Sequence, residues 1–261
     1  MTEFILGWWQ YDFMRNAFYA ILLIMPLFAM LGTMVVNNGM AFFSDALGHS
    51  SLTGVGIGIL LGMSEYRPAM VIFAIVFALV MNRIRYSRMS STDTVIGVFS
   101  SCGVALGLVL LSRGGSFSRY QSLLIGDILS ITKDEIMILG ITLILTAVVW
   151  ALCFNRFYAI SISPSLARSK GIPVRLLDNL FVVIVAVIVM LAIHWVGLLL
   201  INAMLILPAA AARHIAKSTR GYHFTALVFW FSYRNSVATG PVIVLIAALL
   251  YFATFALREK R

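Results

Sequence analysis

The sequence predicts an all-α fold: a polytopic bundle of about seven to eight membrane-crossing helices, in one transmembrane domain over residues 1–261. Three observations carry that expectation. The chain is 61% hydrophobic and 11% charged, far from the balance of a soluble domain. Its apolar residues fall in repeated runs near the roughly 20 residues a helix needs to cross a bilayer. Its net charge of +9 gathers in short loops between those runs, where Lys and Arg mark the cytoplasmic side. That distribution argues against nucleic acid as a partner and for membrane lipid.

The runs follow in order. Residues 17–36 form the first span. After the turn Asn37-Asn38-Gly39 comes a helix over residues 42–63, broken from the next run, 69–81, by Glu65-Tyr66-Arg67-Pro68. Residues 82–93 carry Arg83, Arg85 and Arg88 and read as a cytoplasmic loop. The fourth span covers 94–112. The connection 113–135 contains a short apolar piece, 123–131, interrupted by Gly126-Asp127 and too short to cross. The fifth span covers 136–153. Residues 154–175, with Arg156, Arg168, Lys170 and Arg175 and no acid, form the clearest cytoplasmic loop. The sixth span covers 176–195, and a turn at Gly197 leads to the seventh, 198–212, which Pro208 kinks or ends. Arg213, Lys217 and Arg220 mark another inside loop, and Arg258, Lys260 and Arg261 place the C-terminal tail there too. Residues 1–12 lack the basic region and cleavage site of a signal peptide. Cys102 and Cys153 lie inside runs without a CxxC partner and read as packing residues.

The helix over 42–63 carries the sharpest chemistry. Asp45 and His49 stand four residues apart, so they share one face, roughly 6 Å apart along the axis. An ionisable pair in an apolar segment is costly and points to a transport path or ligand site. Two readings stay open. Asp45 can cap the helix N-terminus at a membrane boundary. Alternatively, carboxylate and imidazole bind a divalent ion such as Zn²⁺, Mn²⁺ or Fe²⁺. One of each is too few, so a second copy of the chain on a two-fold axis would double the ligand set. Gly54, Gly58 and Gly62 recur every fourth residue, a pattern that lets another helix come close. Asp93 opens the fourth span, as a helix cap or as support to the metal. His194 reads as an interfacial histidine, His214 and His223 as solvated, and Asn202 as a bond to another helix.

Residues 161–171 have helix grammar. Pro164 opens, Leu166 and Ala167 give an apolar side, and Gly171 ends it. The segment is either an ordinary interfacial helix or a dock for a cytoplasmic partner. No GxxxxGK[ST] phosphate-binding loop occurs, so ATP hydrolysis would belong to another subunit and this chain is not itself an enzyme.

Several segments resemble one family. Ser44-Asp45-Ala46-Leu47-Gly48-His49-Ser50 is similar to the Gly-Asp-Ala-x-x-His signature of the permease subunits of bacterial metal-ion ABC importers, the zinc, manganese and iron uptake family. Leu124-Ile125-Gly126-Asp127-Ile128-Leu129, residues 163–171 and residues 197–213, ending Leu207-Pro208-Ala209-Ala210-Ala211-Ala212-Arg213, match further family segments in order. The chain departs in having Asn37-Asn38 where the family has a basic pair. It also has only residues 224–232 where the family has a full span before a motif like Ala238-Thr239-Gly240-Pro241, which resembles an internal deletion.

The resemblance implies an importer in a bacterial inner membrane, with the helical bundle shared by vitamin B12 and siderophore permeases. An extracytoplasmic metal-binding protein would deliver Zn²⁺, or next Mn²⁺, as transported substrate with no permanent cofactor. Two permease copies would form the path. An ATP-binding subunit dimer would dock on Ser165, Leu166, Ala167, Arg168, Lys170 and Gly171. The alternative is a permease of the same fold for a metal chelate, siderophore or organic cofactor. A membrane metal enzyme would need a ligand set such as HExxH, which the sequence lacks.

Overall fold

The computed structural model describes residues 10–86, 91–113, 126–215, 244–245, 247–249, 251–252 and 255. Among them the regular secondary structure is helical, with no strand. In chain order the principal elements are α1 (Asp12–Asn37), α2 (Phe43–Leu60), α3 (Arg67–Arg85), α4 (Thr92–Arg113), a 3-10 turn (Ile128–Ser130), α5 (Lys133–Ile162), α6 (Pro164–Ser169), α7 (Val174–Val196) and α8 (Leu198–Ile215). Five helical stretches are long and apolar enough to cross a membrane: Asp12–Asn37, Arg67–Arg85, Thr92–Ser112, Lys133–Ile162 and Val174–Val196. The expected seven to eight counted α2 and α8 as well. The shortened stretch expected at 224–232 lies outside the described residues.

Helix α2 falls short of a span by composition because it is built to touch protein. Its residues from Phe43 to Gly58 are almost all buried, and small groups replace apolar side chains along it. A Cβ on Gly54 would lie 2.7 Å from Met70 Cα, and one on Gly58 3.2 Å from Tyr66 Cα, so α3 presses on that side. On another side, Cβ atoms on Gly103 and Gly107 of α4 would meet Ser50 Cβ at 2.7 Å and Leu52 Cβ at 2.8 Å. Thr53 also donates to the Gly103 carbonyl at 2.5 Å. These pairings run α3 antiparallel and α4 parallel to α2. Close approach of backbones is what small residues permit in a bilayer.

Helix α7 is the other central element, burying Phe181, Val182, Val185, Ala186 and Ile193. It runs antiparallel to α3. At one end Arg85 pairs with Asp178, and Asn82 Nδ2 donates to Asn179 Oδ1 at 2.8 Å. At the other, the Tyr66 and His194 rings meet edge to face at 6.5 Å. Arg67 reaches Glu135 at 2.7 Å there, tying α3 to the start of α5. The loops with Arg83, Arg85, Arg168, Lys170 and Arg175 therefore share one end of the bundle.

Helix α5 is longer than the apolar run 136–153. It starts in a capping box: Glu135 Oε2 accepts from the Thr132 N–H at 2.9 Å, and Thr132 Oγ1 accepts from the Glu135 N–H at 3.4 Å. It continues to Ile162 because Phe157 and Ile160 keep facing inward while Arg156 lies on the exposed side. The Phe157 ring stands 5.9 Å from that of Phe181. Ser163, extended at φ −155°, breaks the helix. The outward stripe Met137, Ile141, Ile144, Leu145, Val148 and Leu152 is exposed, as expected of a lipid-facing side.

Candidate functional site: the start of helix α2

The turn into α2 uses Gly39 at φ +64°, and Phe42 caps the helix without a side-chain bond. Asp45 is therefore in the first turn but does not cap. Its carboxylate is directed sideways. Asn202 Nδ2 donates to Asp45 Oδ1 at 2.6 Å, and His49 Nε2 stands 3.6 Å from the same oxygen. The two side chains are about equally exposed, 38% for His49 and 36% for Asp45, so an incoming ion can reach them. The Asp45 end of α2 points toward the end that carries Arg83 and Arg85.

Asn202 arrives by a local break. Gly197, at φ +79°, ends α7 and lets the chain turn back as α8. Gly48 has no side chain, and Leu198 fills the space where its Cβ would be. The pairs Gly48–Leu198 and Asp45–Asn202 run α8 antiparallel to α2. The turn at Gly126, φ +73°, sits hard against Val196 and Gly197 and braces the break. Asn16 of α1 holds the far side of that turn by donating to the Ile131 carbonyl at 3.3 Å. Among the described residues, Asn202 Oδ1 is buried without a donor, as are Ser44 Oγ and Ser51 Oγ nearby in α2.

The other sequence candidates are placed as follows. Asp93 is exposed at the start of α4. Among the described residues no three His, Cys, Asp or Glu side chains group closely enough to hold a metal, so Asp93 does not join Asp45 and His49. Gly54 and Gly58 are covered by α3 of the same chain. Gly62, at φ +67° with nothing within 4 Å of its Cβ position, ends α2 rather than packing. Pro208 lies inside α8, which continues past it to Ile215. Cys102 and Cys153 are unpaired thiols.

The loop helix forms as α6. Ser163 Oγ accepts from the Leu166 N–H at 3.3 Å, Pro164 opens the helix, and Gly171 at φ +75° closes it. Only Ala167, 1% exposed, is seated; Leu166 is 54% exposed. Ser165, Arg168 and Lys170 also face outward. Beside them a shallow groove of about 520 Å³ is lined by Arg168, Pro173, Arg175 and Leu176, among others.

Asn202 bonds another helix, as expected, and the partner that sequence alone does not name is Asp45, 157 residues away. One pairing was not foreseen. Asp178 went unremarked. Its signal was present, because an acid in an apolar run demands a partner, here Arg85.

The model of the ABC 3 transport family matches residues 10–258. The chain is 28% identical over 267 residues to the manganese transport system membrane protein MntC of Listeria innocua, covering 99% of this chain and 95% of that protein. It is 28% identical over 242 residues to the high-affinity zinc uptake system membrane protein ZnuB of Haemophilus influenzae, covering 89% and 92%. Among solved structures, PsaBC from Streptococcus pneumoniae in complex with Fab superposes with a TM-score of 0.81 at 28% identity, over 97% of this chain and 95% of that one. The chain belongs to the ABC 3 transport family, the membrane permeases of metal-ion importers.

Proposed function

We infer that this chain is the permease subunit through which an ATP-driven importer moves a divalent metal ion, Zn²⁺ or Mn²⁺, across a bacterial inner membrane. The observation that carries the reading is His49 and Asn202 converging on one carboxylate oxygen of Asp45, on the largely buried helix α2. Asp45 supplies charge, His49 a borderline nitrogen donor, and both suit these ions better than an organic solute. Relatives named for manganese and for zinc support either substrate.

The other parts follow from placement. The end holding Arg83, Arg85, Arg168, Lys170 and Arg175 is cytoplasmic by the positive-inside rule, and the basic tail belongs on that side. Helix α6, held by Ala167 and otherwise outward, docks an ATP-binding subunit there. An extracytoplasmic binding protein loads the opposite end. A second permease copy lies across the Asp45–His49 side, because the Gly54–Gly58 ridge is already occupied by α3.

The test is radiometal uptake into vesicles that hold the permease, its ATPase subunit and its binding protein, run with each ion. Asp45→Ala and His49→Ala should each lower uptake by at least about tenfold, the scale of losing a metal contact, while the complex still assembles. Wild-type uptake of a metal chelate but not of the free ions would support the organic or siderophore reading instead. Unchanged metal uptake in both variants would overturn the proposal.

A further inference from the structure

We propose that Asn202 is a third metal-facing donor in this site and that its amide oxygen tilts the site toward Mn²⁺ over Zn²⁺. The inference rests on the metal-transport reading above and deepens it. One half of the amide is accounted for: Nδ2 donates to Asp45 Oδ1 at 2.6 Å. The other half is not. Oδ1 is buried, and among the described residues no donor reaches it. Buried acceptors are rarely left so, and with no donor to give up, this oxygen is available to the ion once the amide turns over. The amide shares its carboxylate oxygen with His49 Nε2, 3.6 Å away, so all three side chains border the same small space.

The chemistry of that space differs with and without Asn202. A carboxylate and an imidazole alone are a set that Zn²⁺ binds more tightly than Mn²⁺, because affinity rises along the first row. A neutral carbonyl-type oxygen is a hard donor of the kind that suits Mn²⁺, whereas Zn²⁺ prefers few ligands, nitrogen and sulfur among them. The Nδ2 N–H holds Asp45 in place. When a cation takes Asp45, a turn about the soft terminal torsion of Asn202 presents Oδ1 to the ion and removes the N–H from it. One chain then offers three donors.

The test is equilibrium binding of Mn²⁺ and of Zn²⁺, each alone, to the purified full-length chain, with helical content and elution checked for every variant. Asn202→Leu, close in shape but without donor or acceptor, should weaken Mn²⁺ binding by about tenfold or more and Zn²⁺ binding by less than about threefold. Asn202→Asp keeps an oxygen and should restore Mn²⁺ binding to within about threefold of wild type. Equal weakening of both ions by Asn202→Leu, or no weakening of either, overturns the proposal, as does failure of Asn202→Asp to recover Mn²⁺. Asp45→Ala separates the two levels: if it binds both ions as wild type does, the metal reading itself fails, whatever Asn202 does.

Discussion

Asp178 is where removing one carboxylate should strand a buried charge. Its side chain is 4% exposed and that of its partner Arg85 14%. Together they join the end of α3 to the start of α7. Asp178→Ala leaves the guanidinium with its charge and little water. Removing one partner of a buried pair costs about 3–5 kcal/mol. Arg85 keeps some solvent access and the Asn82–Asn179 bond persists beside it, so the lower end, about 3 kcal/mol, is the expectation. Replacing both charges, Arg85→Met with Asp178→Leu, should cost little, because apolar groups of similar size often substitute for such a pair without loss.

Tyr86 provides a second readout at the same place. Burial, and next the Asp178 carboxylate, push its phenol up from 10.0 to about 12. The folded value lies above the ordinary one, so the stabilisation is complete below about pH 10 and is lost as pH rises through about 12. Asp178→Ala removes both the charge and the hydrogen bond that help raise it, so the Tyr86 titration should move down. The assays are denaturant unfolding in micelles and a difference titration against Tyr86→Phe. A loss under about 1 kcal/mol for Asp178→Ala, or a double variant less stable than the single, would refute the reasoning.

Three further paired comparisons follow from the packing. Gly54→Leu should destabilise by about 3 kcal/mol or more, since its Cβ would meet Met70 backbone at 2.7 Å and backbone cannot turn aside. Gly62→Ala should cost only about 1 kcal/mol, from φ +67° alone; thermal unfolding compares the two. Ala167→Glu should unseat α6 and uncouple ATP hydrolysis from metal uptake, whereas exposed Leu166→Ala should weaken ATPase binding with stability changed by less than about 0.5 kcal/mol. Thr132→Ala should cost about 1 kcal/mol by removing the α5 cap. Arg67→Met should cost more, about 1–3 kcal/mol, because it strands the Glu135 carboxylate, 8% exposed, with its Thr132 bonds; unfolding midpoints measure both.

What the sequence made legible was local. The Asp45–His49 spacing, the close-approach pattern at Gly54 and Gly58 and the grammar of 163–171 each need only neighbours within a few residues, and each formed as a unit. The end of α5 was misplaced because Asn155 and Arg156 look like loop residues until Phe157 and Ile160 are seen to bury on the other face. Glycine spacing announces a close neighbour without saying which, and the structure puts α3 against Gly54 and Gly58. The same limit explains the site. Asp45 meets Asn202, and Arg85 meets Asp178, across 157 and 93 residues, distances over which hydrophobic period carries no information. Periodicity cannot name partners, but the cost of a buried charge can require them: an acid at 4% exposure inside an apolar helix must face a cation. Only the route of the chain says that it is Arg85. That the route in turn depends on Gly48, Gly126 and Gly197, where a side chain would collide or φ is positive, makes the absent side chains as much a part of the geometry around Asp45 as the side chains that touch it.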